Sequence, residues 1–571
     1  MRQLKGHARA AVALTAVTAV VLTGCSFGGG SDSKKGEKSL RFEYNNFPII
    51  DPQGVTYGEW LSAAALFEGV VRLNKDGSDV LPAAATSWDA SPDKKTYTFH
   101  LREEKWSDGS AVTADDFEWT YKRLLSPSAT ASGATQGSNS YAPGLGIQGA
   151  VDFRAGTLKD WSKVGVKASD PKTLVITLAA PNSDFLLGMT QPSMVALPSK
   201  NVQKYPNDWQ KPAHFVGNGA YAVKSWTVNS SMQLDKNPNY WNAKNVDIDH
   251  ISLALADDPT PAALHFENNE TDIAALLSAD IPRYQKSATL KKELVEFPGF
   301  YRSYLAVLHS KNPALEDERV REAFSLAMDR ENVAKACNSC TPSLSLVPPS
   351  LPGAAGAAVT EDIAKAKSLL AAAGYPNGKG LPTVNILCSS PIDPTLEAVV
   401  DNWKRNLGVK AKLDVVEKGV YVEKRSAVQN SNYIGFYSGA FSSLPSWRSW
   451  VSTLWGGPFT QSFSLNSADW AGYNSLITAS KADQAQQLLD SKASPEARSF
   501  ADTVAKADAN TDKGAGDAQY ASAAATRQQT YLFIPTLTSD AYYAVRSGIG
   551  GVDQHSGYLL PFYLGDLTKA S

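Results

Sequence analysis

The chain has 571 residues, 43% of them apolar, 10% aromatic and 20% charged, a composition that excludes a wholly disordered or coiled-coil protein. Fifty-five basic against 57 acidic residues leave a net charge of −2, so no basic surplus exists to neutralise the phosphates of a nucleic acid. Four cysteines and seven histidines, with neither an H-E-x-x-H nor an H-x-H pattern, exclude a disulfide scaffold and a histidine-built metal site.

Residues 1–24 read as a signal peptide. Arg2, Lys5 and Arg9 give a positive start, and Ala10 to Leu22 is a charge-free run. As a helix it would span about 20 Å, short of the ~30 Å of a bilayer core. Leu22-Thr23-Gly24-Cys25 resembles a bacterial lipobox, which implies cleavage before Cys25 and lipidation of that residue. Residues 25–38 then form a Gly-, Ser- and Lys-rich tether that cannot pack. The folded body is expected outside the cytoplasmic membrane, on it and not through it, because no later segment approaches 18 apolar residues.

The body reads as mixed α/β. Tyr97, Phe99 and Leu101 alternate as on a half-buried strand, and Leu174, Ile176 and Leu178 repeat the pattern. Between them Thr113-Ala114-Asp115-Asp116 resembles a capping box, opening a helix through Phe117, Trp119, Tyr121 and Leu124. Ile363, Ala366, Leu369, Leu370 and Ala373 recur at helical spacing and stop at Gly374. Leu396, Val399, Val400, Trp403 and Leu407 do the same up to Gly408. Val409, Ala411, Leu413 and Val415 then switch to period two, a helix-to-strand succession typical of α/β folds. No internal repeat is present.

Catalytic patterns fail one by one. Gly144, Gly146 and Gly149 make a G-x-G-x-x-G, but it follows a polar loop instead of a strand, so it reads as a glycine-rich surface loop. No P-loop and no G-x-S-x-G elbow occurs. The acidic pairs Glu103-Glu104, Asp115-Asp116 and Asp257-Asp258 are sequence neighbours that point apart, unlike the facing carboxylates of a glycosidase. No enzyme, cofactor or metal is expected. Cys337 and Cys340 form a C-x-x-C that outside the membrane reads as a local disulfide before redox or zinc chemistry. Cys388 is left as a buried thiol.

From Tyr433 to Trp470 lie ten aromatics in 38 residues, with Arg448 and Asp469 the only charges. Rings among serines and glycines suit an organic ligand, peptide or sugar, held by stacking and a few hydrogen bonds. About half of these rings are expected in the core.

Several stretches together resemble one family. They are Leu66-Phe67-Glu68-Gly69-Val70, Leu81-Pro82-Ala83-Ala84-Ala85-Thr86-Ser87-Trp88, Lys105-Trp106-Ser107-Asp108-Gly109, Gly217-Asn218-Gly219-Ala220-Tyr221, Lys236-Asn237-Pro238-Asn239-Tyr240-Trp241 and Arg319-Val320-Arg321-Glu322-Ala323-Phe324. In order and spacing these are similar to the oligopeptide/dipeptide-binding family of solute-binding proteins of ABC importers, from about residue 40 to 440.

That resemblance implies a two-lobed, class II periplasmic-binding-protein-like α/β fold with an extra domain and a ligand cleft between hinged lobes. It implies a discontinuous lobe I of residues 39–65, 190–298 and 535–571, an extra domain at 66–189, and a lobe II at 299–534. It also implies a monomer that captures an oligopeptide or peptide-like solute and delivers it to a permease with its ATPases. An oligosaccharide or other neutral solute is the alternative, and a secreted hydrolase fits less well. The family's pocket maps to Gln53, Gly54, Val55 and Tyr57, to Tyr141, and to Phe436, Tyr437, Phe441, Trp447 and Trp450. Oligopeptide binders commonly place an aspartate for the peptide's α-ammonium where this chain has Phe441, and residues 434–468 contain no acid. The expectation is an N-blocked, modified or neutral ligand, unless Asp51 or Glu59 supplies the charge.

Overall fold

The computed structural model describes residues 36–54, 60–75, 77–127, 145–307, 313–390, 393–426, 433–440, 444, 446–451, 469, 472, 476, 482–492, 495–552 and 562–570. Cys25, Val55, Tyr57, Glu59, Tyr141 and Phe441 lie outside the described residues. Residues 38–571 form one compact unit.

Its backbone is one mixed sheet. The strands run, side by side, Ala411–Val416, Val384–Ser389, Tyr433–Ala440, Leu294–Val307, Phe533–Val545, Ile273–Leu276, Ser39–Asn45, His250–Ala256, Ser231–Lys236 and Tyr221–Thr227, with Cys340–Pro342 added beside Phe533–Val545. The two central strands, Leu294–Val307 and Phe533–Val545, are 14 and 13 residues long and antiparallel. They are the only long ones among the described residues, and they join the two halves of the sheet. Leu294–Phe297 pairs with Ala541–Ala544 on the first-lobe side, where Ile273–Leu276 and Ser39–Asn45 continue the sheet. Tyr301–Ala306 pairs with Phe533–Ser539 on the second-lobe side, where Tyr433–Ala440 follows.

Between Phe297 and Tyr301 the register shifts. Gly299 sits in that shift at φ +76°, a left-handed conformation that costs glycine nothing and a β-branched residue much. Beyond it, alternate residues serve two cores. Leu305 and Val307 join Ile534, Leu537, Phe324 and Trp403 on one face. Ala306 joins Phe533, Trp447, Trp450 and Tyr520 on the other. A strand buried on both faces needs apolar side chains on both, which Leu305-Ala306-Val307 supplies.

The four-stranded antiparallel sheet Ala85–Ala90, Thr96–Leu101, Thr173–Thr177, Val166–Asp170 stands apart from the large one. Thr96–Leu101 buries every second residue, as its alternation predicts. The helix Ala114–Leu125 opens with the capping box of Thr113 and Asp116 and buries Phe117, Tyr121 and Leu124. Pro394–Leu407 is capped by Asp393 and closed by Gly408 at φ +68°. It connects the parallel strands Val384–Ser389 and Ala411–Val416, a βαβ unit. That last strand is the sheet's edge, so Val415 stays 40% exposed despite its place in the alternation. The helix Ile363–Ala372 likewise buries only Ala366 and Leu370 of its apolar stripe.

Cys337 and Cys340 form a disulfide. Cys388 is a free, buried thiol whose pKa burial pushes up to about 11. Among the described residues no group of three or more His, Cys, Asp or Glu could hold a metal, and no helix is long and apolar enough to cross a membrane.

Candidate ligand site at the strand crossing

Where the two long strands pass between lobes, the pleat sends one set of side chains to a common face. On Phe533–Val545 that set is Thr538, Asp540 and Tyr542, because strand side chains alternate. Opposite them on the neighbouring strand, Arg302 pairs with Thr538 and Glu296 pairs with Tyr542. Directly opposed side chains stand about 5 Å apart and i, i+2 neighbours about 7 Å. One row therefore carries Arg302 at one end, Glu296 at the other and Asp540 between them.

This row floors an open pocket of about 520 Å³, walled by Ser343, Ser345 and the segment up to Ala358. The wall is held in place by the strand Cys340–Pro342, which pairs with Leu537–Ser539, and by the Ser343 N–H donating to the Thr536 carbonyl at 3.1 Å. Arg302 is 4% exposed. Its Nη1 donates to Ser343 Oγ at 2.9 Å and to the Ser345 carbonyl at 3.1 Å, while Nε–H has no partner. Burial pushes its pKa down to about 10, against the pull of Asp540. Asp540 is buried as well. Its Oδ1 accepts from the Gly299 N–H at 2.7 Å, and the carboxylate makes no other hydrogen bond among the described residues. Burial first and Glu296 second raise its pKa, with Gly299 and Arg302 opposing. Arg302 and Asp540 feel each other's charge, yet no ion pair of 4 Å or less joins them. Sequence reasoning missed all three of these residues.

Of the residues expected to line the pocket, Gln53, Gly54, Trp447 and Trp450 are buried. Gln53 is buried, with Nε2 donating to the Thr120 carbonyl at 2.9 Å and Oε1 accepting from Arg123 at 2.5 Å. It braces the helix Ala114–Leu125. Gly54 is buried beside it, its N–H donating to the Asp51 carbonyl. Asp51 is 1% exposed and paired with Arg123 at 2.5 Å, which removes it as a counter-charge for an ammonium. Trp447 and Trp450 are core residues instead of pocket walls. They are 1% and 0% exposed, packed with Leu346, Leu387, Tyr520 and Phe533, and Trp447 Nε1 donates to the Pro352 carbonyl at 2.8 Å. A composition rich in rings cannot tell a wall from a core. Phe436 and Tyr437 lie on the strand Tyr433–Ala440, opposite Ala306 and Leu305, next to the crossing.

Leu444 and Ser446, after that strand, reach residues distant in sequence. Leu444 packs into the first lobe's apolar core. Ser446 Oγ donates to buried Asp184 Oδ2 at 2.5 Å and accepts from the Ser449 N–H at 3.1 Å. Burial raises the Asp184 pKa to about 6, with the Ser446 bond and Arg448 opposing.

A second cluster of buried charge is made from the motif residues. Glu68 accepts from Tyr240 Oη at 2.7 Å and from Trp241 Nε1. Asn218 bridges back, accepting from the Glu68 N–H at 2.9 Å and donating to its carbonyl at 3.1 Å. A β-carbon on Gly219 would stand 2.4 Å from the Ala65 carbonyl oxygen, so the motif's glycine is what lets the two backbones meet. Arg72 pairs with Asp566, and Arg102 lies 3.6 Å over the Trp241 ring. Burial raises the Glu68 pKa, and burial together with Glu68 raises that of Glu104 well above the usual range.

Known proteins resemble this chain in sequence and fold. Over 377 residues the chain is 34% identical to the periplasmic oligopeptide-binding protein OppA of Escherichia coli, covering 63% of this chain and 67% of that one. It is 29% identical over 473 residues to the dipeptide-binding protein DppE of Bacillus subtilis, covering 79% and 83%. Among solved structures, the unliganded open form of the murein tripeptide binding protein MppA superposes with a TM-score of 0.75 at 23% identity, covering 94% of this chain and 98% of that one. Haemophilus influenzae OppA in complex with RPPGFSPFR gives 0.65 at 23% identity, covering 94% and 100%. These likenesses show the two-lobed binding-protein fold. Residues 79–461 match the model of the bacterial extracellular solute-binding proteins, family 5, and the chain belongs to that family.

Proposed function

We propose that this protein is the substrate-binding component of an ABC importer, capturing an oligopeptide or peptide-like solute between its lobes and handing it to a membrane permease. The observation that carries the reading is the pocket at the strand crossing, in a chain of this family. Its floor presents one cation and two acids, which suits a ligand with charged ends and many hydrogen-bonding groups. A neutral oligosaccharide would leave those charges without counter-charges, which is costly in a half-dry cleft. The family's members are solute binders, so no reaction step is asked of the site.

In the same reading, Cys25 carries the lipid anchor and residues 25–38 tether the body to the outer face of the cell membrane, with the permease and its ATPases as partners of a monomer. The lobes follow the division of residues 39–65, 190–298 and 535–571 against 299–534, with 66–189 as the added domain. Phe436, Tyr437, Phe441, Val55, Tyr57 and Tyr141 are the aromatic and apolar residues offered as contacts of the ligand. Trp447 and Trp450 support the Tyr433–Ala440 strand from within the core.

The test is thermal unfolding of the purified protein with di- to pentapeptides and with cello- and manno-oligosaccharides. Binding at a hundredfold excess over Kd stabilises by about 2.7 kcal/mol. Peptides are expected to raise Tm. Stabilisation by the sugars alone would overturn the reading.

A further inference from the structure

The acid missing from residues 434–468 leaves open how a peptide's charged amino end would be held. Resting on the peptide-binding reading above, we infer that Asp540, flanked by Glu296, holds the free α-ammonium of the ligand, with Arg302 taking the neighbouring carbonyl or carboxylate.

Three observations carry this. First, Asp540 is buried on the pocket floor with a single hydrogen bond, from the Gly299 N–H. A buried carboxylate is ordinarily paired or multiply hydrogen-bonded, and this one has room above it for a donor. Second, Arg302 is held at one end by Ser343 and Ser345 and has its Nε–H unpartnered. Its Nη2 lies 3.7 Å from where a β-carbon on Gly299 would sit. The guanidinium is thus fixed beside the acid without neutralising it at contact distance. Third, the row of Glu296, Asp540 and Arg302 carries a net single negative charge. Glu296, which accepts from the Tyr542 hydroxyl, adds its own field to that of Asp540. A ligand that brings one positive charge, with an acceptor a few ångströms away, completes the row. The first residue of a peptide has that pattern: an ammonium, then a carbonyl. An N-blocked peptide has only the second half.

The geometry depends on the register shift. Continued without the shift, the Glu296–Tyr542 register would set Arg302 opposite Thr536; the extra residues around Gly299 set it opposite Thr538 instead, next to Asp540. The site is therefore encoded by a backbone irregularity as much as by the charges.

The experiment is calorimetric titration of the full protein with tri-alanine, N-acetyl-tri-alanine and tri-alanine amide, repeated on Asp540→Asn. Losing one partner of a desolvated charge pair weakens binding by about 30-fold or more. Acetylation is expected to cost that much in the wild type and far less in Asp540→Asn, because the partner is already gone. Amidation is expected to cost less than acetylation. Equal affinity for free and acetylated tri-alanine in the wild type would overturn the inference while leaving peptide binding intact. That comparison needs no variant, so it stands even if Asp540→Asn folds poorly. Failure of all three peptides to bind would overturn the peptide-binding reading and this inference with it.

Discussion

Two clusters of buried charge in this molecule are built in opposite ways. Around Glu68, Tyr240 and Trp241 donate to the carboxylate, Asn218 ties its backbone, and Arg72 has Asp566. The Nε–H groups of Arg72 and Arg302 are both unpartnered, but at the strand crossing Asp540 has a single donor and Arg302 has no acid at contact distance. Satisfied buried charges rigidify a framework, whereas under-satisfied ones hold interaction energy for something that arrives later. The first cluster is made of the residues that identify the family, and the second of residues that no motif contains. The difference separates what makes the fold from what meets the ligand.

The comparison breaks most visibly at Glu68. Glu68→Ala orphans the Tyr240 hydroxyl and the Trp241 N–H and is expected to cost about 3–5 kcal/mol of unfolding free energy, read by denaturant titration. A loss under about 1 kcal/mol would show that the first cluster is not a framework.

Asp184 sharpens the picture through pH. Its folded pKa is raised to about 6 from 3.8, so between those values the native state holds a proton that the unfolded chain has released. Stability attributable to this residue is therefore greatest at low pH and falls as pH rises from about 4 to 6, by about 2–3 kcal/mol. The check is the difference between wild type and Asp184→Asn across that range. Ser446→Ala removes a bond that favours the charged form, which should move the window to higher pH.

The smallest expected effect is at Arg302. Replacing a poorly paired buried charge by an apolar residue of similar length is often neutral. Arg302→Met is expected to change stability by less than about 1 kcal/mol while weakening tri-alanine binding. A loss of several kcal/mol with unchanged affinity would place Arg302 among the framework residues.

Much of the frame was readable from residues alone. The capping box at Thr113, the stops at Gly374 and Gly408, the alternation at Thr96–Leu101 and the C-x-x-C disulfide depend on neighbours in sequence, and each appears where its local chemistry puts it. The site was not readable for the opposite reason. Gly299 and Asp540 are 241 residues apart, and which side chains share the pocket floor is decided by a register shift that no periodicity reveals. The aromatic segment misled for a related reason: Trp447 and Trp450 pack with Leu387, Tyr520 and Phe533, distant in sequence, and so fill a core layer. Asp51 was a reasonable counter-charge until Arg123, 72 residues on, turned out to occupy it.

The most direct test of the account is a crystal structure of the protein with tri-alanine. It predicts the peptide at the strand crossing, with its ammonium nitrogen about 2.7–3.2 Å from an Asp540 oxygen. An amino end held elsewhere, with Asp540 still bonded only to Gly299, would contradict it.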